Sequence, residues 1–184
     1  MAPLDATFQK LMDWAEQTAD IGIRANADTP ADAQTARNFN AHGIGLCRTE
    51  HMFFDPSRLT VMREMIFADT SEGRRAVLDR LLPMQREDFI QLFRIMQGQP
   101  VCIRLFDPPL HEFLPASRSG QRDLAEALDL PLSNVTRRIE AMSEYNPMLG
   151  LRGVRLGVTV PEIYEMQARA IFEATIEASR YGLK

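Results

Sequence analysis

The run Val101-Cys102-Ile103-Arg104-Leu105-Phe106 is short, apolar and rich in β-branched and aromatic residues, and Asp107-Pro108-Pro109 cuts it off. A stretch of that kind, closed by turn-forming residues, reads as a β-strand. Its flanks read as helix. Upstream, Phe89, Leu92, Phe93 and Met96 fall at helical spacing and stop at Gly98. Downstream, a loop with Pro115 and Gly120 precedes helical stripes at Leu124 to Leu128 and at Val135, Ile139 and Met142. A strand set between helices points to an α/β chain with crossover connections and a parallel sheet.

The same alternation continues outward. Phe8, Leu11, Met12 and Ala15 predict an amphipathic helix within residues 1–19, a linker helix entering the domain. Ile21 to Asn26 reads as the first strand. Thr29, Pro30 and Asp32 mark a helix start, and His42-Gly43 its expected end, with Gly43 as the left-handed cap. Ile44 to Cys47 is the second strand. Leu59, Met62 and Ile66 form one helical stripe; Val77, Leu78, Leu81 and Leu82 form another, expected to stop near Pro83. Gly153 to Val158 alternates as a fourth strand, and Thr159 with Glu162 predicts a capping box for a last helix. The expected architecture for residues 20–184 is a partial (β/α)8 barrel: about four βα units with extra inserted helices, short of the ~250 residues a whole barrel needs.

Composition bounds the function classes. With 45% hydrophobic and 25% charged residues and a net charge of -4, the 184-residue chain has no global pull toward nucleic acid or anionic membrane. No apolar run approaches the ~18 residues of a membrane span. Met1 to Asp5 lacks a secretory pattern. Cys47 and Cys102 show no metal-ligand spacing and are expected as reduced, buried thiols, which suggests a cytoplasmic setting.

Each expected strand delivers an arginine: Arg24, Arg48, Arg104, and Arg155 with Arg152 just before it. A guanidinium in a strand buried on both faces needs an anionic partner. Arginine forks grip carboxylate and phosphate in two-point fashion, and barrel sites sit at strand C-termini. Arg48 and Arg104, near strand ends and ahead of polar or proline-bounded loops, are the expected substrate-binding pair. Arg24 and Arg155 lean toward structure, since a barrel arginine can equally pair with an internal carboxylate. Glu50 is read as orienting Arg48 or as solvated, Asp107 as capping the proline turn, Cys47 as core. His42, His51 and His111 are expected at helix ends or loops. There is no phosphate-binding glycine loop.

Longer motifs are more specific. They are Arg24-Ala25-Asn26-Ala27-Asp28-Thr29-Pro30, Gly43 to Phe54 (GIGLCRTEHMFF), Ile103 to Pro115 (IRLFDPPLHEFLP) and Asn146 to Gly153 (NPMLGLRG). Together, in this order and from about Phe8 onward, they resemble the pyruvate, phosphate dikinase family of PEP-utilising enzymes. The resemblance implies the first half of a C-terminal phosphoenolpyruvate/pyruvate-binding (β/α)8 barrel in a homodimeric parent. It implies Arg48 and Arg104 as substrate arginines, with Arg152, Glu50 and Arg24 as supporting candidates. The parent reaction it implies converts ATP, phosphate and pyruvate to AMP, pyrophosphate and phosphoenolpyruvate, through a phosphohistidine domain of the same chain. The family's Mg²⁺ ligands and proton-transferring cysteine would lie beyond Lys184, and the phosphohistidine upstream, so no catalytic or metal residue is expected here. The isolated piece is expected to be inactive, and either to self-associate through unpaired strand edges or to stay weakly stable. A phosphoenolpyruvate synthase or phosphotransferase-system enzyme I barrel, and a non-catalytic anion-binding half barrel, are the alternatives.

Overall fold

A computed structural model describes residues 5–180. The ends of the expected linker and half barrel, residues 1–4 and 181–184, lie outside the described residues. α1 (Ala6–Thr18) is capped by Asp5, whose carboxylate accepts from the Phe8 N–H, and none of its residues is buried. β1 follows (Ala25–Asn26) and then α2 (Pro30–Asn38). α2 starts where the sequence predicts, on a reciprocal Thr29/Asp32 capping box with Pro30 in the first turn. β2 (Ile44–Arg48) runs into a 3₁₀ turn, Thr49–Phe53, and α3 (Pro56–Phe67) and α4 (Ser71–Ile95) follow. β3 (Val101–Arg104) leads through a second 3₁₀ turn, Leu110–Phe113, to α5 (Arg118–Ala127), α6 (Leu132–Met142), α7 (Gly153–Thr159) and α8 (Pro161–Arg180).

Among the described residues the sheet has three strands, all parallel, in the order β1-β2-β3. Arg48 and Arg104 are register partners on β2 and β3. α4 and α8 pack on one another and carry much of the core. α4 contributes Leu78, Leu81, Leu82, Phe89 and Leu92, and α8 contributes Ile163, Met166, Ala170 and Ala174. The alanines recur at a spacing of four, which keeps that ridge of α8 low and lets α4 approach closely. Four phenylalanines gather under the strand C-termini: Phe106 lies 6.1 Å from Phe53 and 5.4 Å from Phe113, and Phe54 stacks on Phe113 at 4.9 Å. Each buried ring contributes roughly 1.5–3 kcal/mol of apolar burial.

Several expectations are corrected. The fourth strand is helix α7: Val154 and Val158, four apart, are 82% and 78% exposed, and only Leu156 of this segment is buried. Alternating apolar residues therefore do not face two buried layers here, and Arg155 lies on a helix. The first strand shortens to Ala25–Asn26, and Ile21 and Ile23 ahead of it are largely exposed. Arg24 is exposed one residue ahead of it. α2 ends at Asn38, and the left-handed residue is Asn40 (φ 58°). Gly43 is needed for a different reason: a Cβ there would stand 2.5 Å from the Pro100 carbonyl oxygen. α4 does not stop at Pro83, which sits on its exposed side. The carbonyl it leaves without a donor belongs to Asp79, also exposed and open to water. Thr159 closes α7, bonding back to the Leu156 carbonyl at 3.1 Å. Glu162 is buried against α4 instead of completing a capping box. Cys47 is buried as expected, but Cys102 is exposed. Gly45 is exposed as well, so helices cover one face of the sheet and the other is open. No helix among the described residues is long and apolar enough to cross a membrane.

Candidate functional site

β2 and β3 end side by side, and each ends on an arginine. Because Arg48 and Arg104 are in register on adjacent parallel strands, their side chains leave the same face of the sheet. Arg104 shares the parity of exposed Cys102 along β3, so that face is the open one. About a third of each side chain stays exposed, 33% for Arg48 and 37% for Arg104.

Carboxylates hold both in place. Asp28, from the loop between β1 and α2, accepts the Arg48 backbone N–H at 2.6 Å and lies 3.6 Å from its Nε. It also sits 3.0 Å from the Nδ1 of His51. Asp28 is the only carboxylate within 4.0 Å of the Arg48 guanidinium among the described residues. Arg104 bonds the carboxylate of Glu50, which is buried, and approaches Asp107 at 3.3 Å. Glu50 therefore orients Arg104 rather than Arg48. Asp107 does more than close the proline turn, since it also binds Arg152, the residue that caps α7. That hydrogen bond and the nearby negative charge raise the Arg152 pKa against the effect of burial. Arg152 is thus fixed beside Arg104 although 48 residues separate them in sequence.

Arg48, Arg104, Arg152 and Glu50 come together, whereas Arg24 and Arg155 stay outside. Arg155 turns to the Met148 carbonyl at 3.3 Å. Three cations interleave with three carboxylates, so the cluster is a set of aligned forks with little net charge. The Nε atoms of Arg48 and Arg104 and one oxygen of Glu50 are buried without a hydrogen-bond partner. Cys47, next to Arg48, is no nucleophile: burial first, then Asp28 and Glu50, push its thiol up to about 12. Among the described residues no group of three or more His, Cys, Asp or Glu could hold a metal ion. The Mg²⁺ implied by the family resemblance finds no donor set among the described residues.

Comparison with known proteins matches these residues to one domain type. The domain described as "PEP-utilising enzyme, PEP-binding domain" matches residues 4–181. The chain belongs to the PEP-utilising enzyme family. It is 55% identical over 176 residues to the pyruvate, phosphate dikinases of Rhizobium meliloti (strain 1021) and Giardia intestinalis. It is 53% identical over 184 residues to pyruvate, phosphate dikinase 2 of Oryza sativa subsp. japonica. The alignments take in 96–98% of this chain but only 20–21% of those relatives, so it spans about a fifth of their length. As a PEP-utilising enzyme domain it is a mixed α/β unit, mostly helical, with a small parallel sheet.

Sequence reasoning missed Asp28 and the pairing of Asp107. It also missed three residues that bond the strand ends from behind: Thr49, Tyr164 and Gln167. Gln167 left a signal, as a polar side chain beside Met166 and four residues after Ile163 on an otherwise apolar stripe.

Proposed function

We propose that this chain supplies the arginine forks that hold phosphoenolpyruvate or pyruvate in a pyruvate, phosphate dikinase. Arg48 and Arg104 grip the phosphoryl and carboxylate oxygens, Arg152 adds a third donor group, and Glu50 and Asp107 keep the forks aligned. The in-register placement of Arg48 and Arg104 at the open end of β2 and β3 carries this reading. Guanidinium groups suit the task because their parallel N–H donors match both anionic groups of such a ligand.

In the whole protein, the enolate oxygen of pyruvate attacks the phosphorus of a phosphohistidine held on another domain. The O–P bond forms, the N–P bond breaks and the imidazole keeps the electron pair; the reverse reaction phosphorylates the histidine. Catalysis of this kind rests on prearranged charge around the moving phosphoryl group. Residues 20–184 are read as the opening part of a (β/α)8 barrel, entered through a linker helix within residues 1–19. The lack of any buried residue on α1, Ala6–Thr18, supports reading it as a linker.

The test uses the whole protein. Arg104→Lys keeps the charge and loses the fork. The pyruvate half-reaction should fall by about 10²-fold while the ATP half-reaction stays within about twofold. Equal losses in both half-reactions would reject the role.

A further inference from the structure

Gln167 has no solvent exposure, and its amide bonds the residues just past the ends of both arginine strands. Its Oε1 accepts the Phe106 backbone N–H at 2.7 Å, and its Nε2 donates to the Thr49 hydroxyl at 2.9 Å. Thr49, also fully buried, donates in turn to the Arg104 carbonyl at 3.0 Å. One turn earlier on α8, the Tyr164 hydroxyl lies 2.7 Å from the carbonyl oxygens of both Phe106 and Gly153. The Gly153 N–H closes the circuit on the Asp107 carbonyl at 3.0 Å.

These bonds act where strand pairing stops. Beyond Arg48 and Arg104, β2 bends into a 3₁₀ turn and β3 leaves the ladder. The N–H and C=O of Phe106 then need partners, and α8 supplies both. Phe106 stands between Arg104 and Asp107, and Gly153 follows Arg152. Fixing these backbone points fixes where two of the arginine forks begin. Burial and the charge of Asp107 hold the Tyr164 phenol up at about 12, so it stays a donor throughout the neutral range.

We propose that Gln167, Thr49 and Tyr164 are positioning residues for the substrate arginines: a hydrogen-bonded clamp on α8 and the first residue after β2 that sets the approach of Arg104 and Arg152 to the anion. The inference rests on the reading of Arg104 as a substrate-binding group. A packing role would show as lost stability with unchanged kinetics per folded molecule. A positioning role shows as lost transition-state binding, because a misplacement of about 1 Å suffices to cost up to about 10²-fold in rate.

In the full-length protein, kcat and KM of the two half-reactions would be measured for Thr49→Val, Thr49→Ser, Tyr164→Phe and Arg104→Lys, with Tm for each. Thr49→Val and Tyr164→Phe should lower kcat/KM of the pyruvate half-reaction roughly tenfold or more, leave the ATP half-reaction alone, and keep a folded protein. Thr49→Ser, which restores the hydroxyl, should recover the loss. Tyr164→Phe removes a single oxygen from a half-buried ring, so it keeps the test open if Thr49→Val does not fold. A damaged Arg104→Lys beside kinetically intact Thr49→Val and Tyr164→Phe would overturn the clamp alone. An Arg104→Lys protein with wild-type constants would overturn the arginine reading and the clamp with it.

Discussion

Arg48 and Arg104 occupy equivalent places on neighbouring strands but are held differently. Arg48 is tethered through its own backbone N–H by one carboxylate, Asp28, which also lies 3.6 Å from its Nε, whereas Arg104 is braced by two, Glu50 and Asp107. Arginine at a strand end was legible in the sequence because residue type and position both show locally. The carboxylates were legible only in part: Glu50 was assigned to Arg48 instead of Arg104, and Asp28 and the Asp107–Arg152 pair form only once β1, β2, β3 and α7 have come together. The two cysteines make the same point. Both sit in apolar strands, yet Cys47 faces the helix layer and Cys102 the open side. A thiol reagent at about pH 8 should therefore modify Cys102 in the native chain and spare Cys47, whose thiol is buried and held up at about 12. Peptide mass spectrometry reads the outcome; equal labelling of the native chain would contradict the burial.

At the scale of elements, the Thr29/Asp32 helix start and the close of α4 just before Gly98 were readable, and other starts and ends were not. Thr29 and Asp32 form their box where their spacing predicts, since both partners lie within one turn. Pro83 and the Gly153–Val158 run were misread because tertiary surroundings decide them: exposure lets α4 continue through the proline, and lack of a covering layer turns the alternating run into α7. The expected Thr159/Glu162 box failed because α4 claims Glu162. Its carboxylate bonds Ser71, and Arg74 donates to it at 3.1 Å. Burial, the largest single influence, opposes its ionisation. The bonds from Ser71, its own backbone and Arg74 together outweigh burial and leave its pKa below the ordinary 4.5. A depressed carboxylate pKa stabilises the fold above the unfolded value and loses that contribution as pH falls through the folded one. The chain should accordingly lose stability below about pH 4.5, and Glu162→Gln should show a shallower decline in urea midpoint between about pH 6 and 3. A decline as steep as in the wild type would remove Glu162 from the α4–α8 contact as a pH-sensitive group.

For the whole molecule, the order of strands and helices and the parallel sheet were legible, because hydrophobic period and turn residues are recorded along the chain. The strand count was not, since α7 mimics a strand locally. β1 and β3 each present an unpaired edge among the described residues, and the open face of the sheet adds exposed Cys102 beside them. Unpaired parallel edges invite further strands. The 184-residue chain expressed by itself should therefore self-associate, with a sedimentation coefficient that rises with concentration. A monodisperse monomer across that range would show that the edges are protected in another way.

The pairing of residues 48 and 104 also makes the sheet a measuring device. Neighbouring strands stand about 4.8 Å apart whatever their sequence, so two guanidinium groups rooted on one rung begin at a span that backbone geometry sets in advance. On the proposed reading, a compact three-carbon acid with its phosphate suits such a gauge, and a dianion several atoms longer would have to leave one end ungripped.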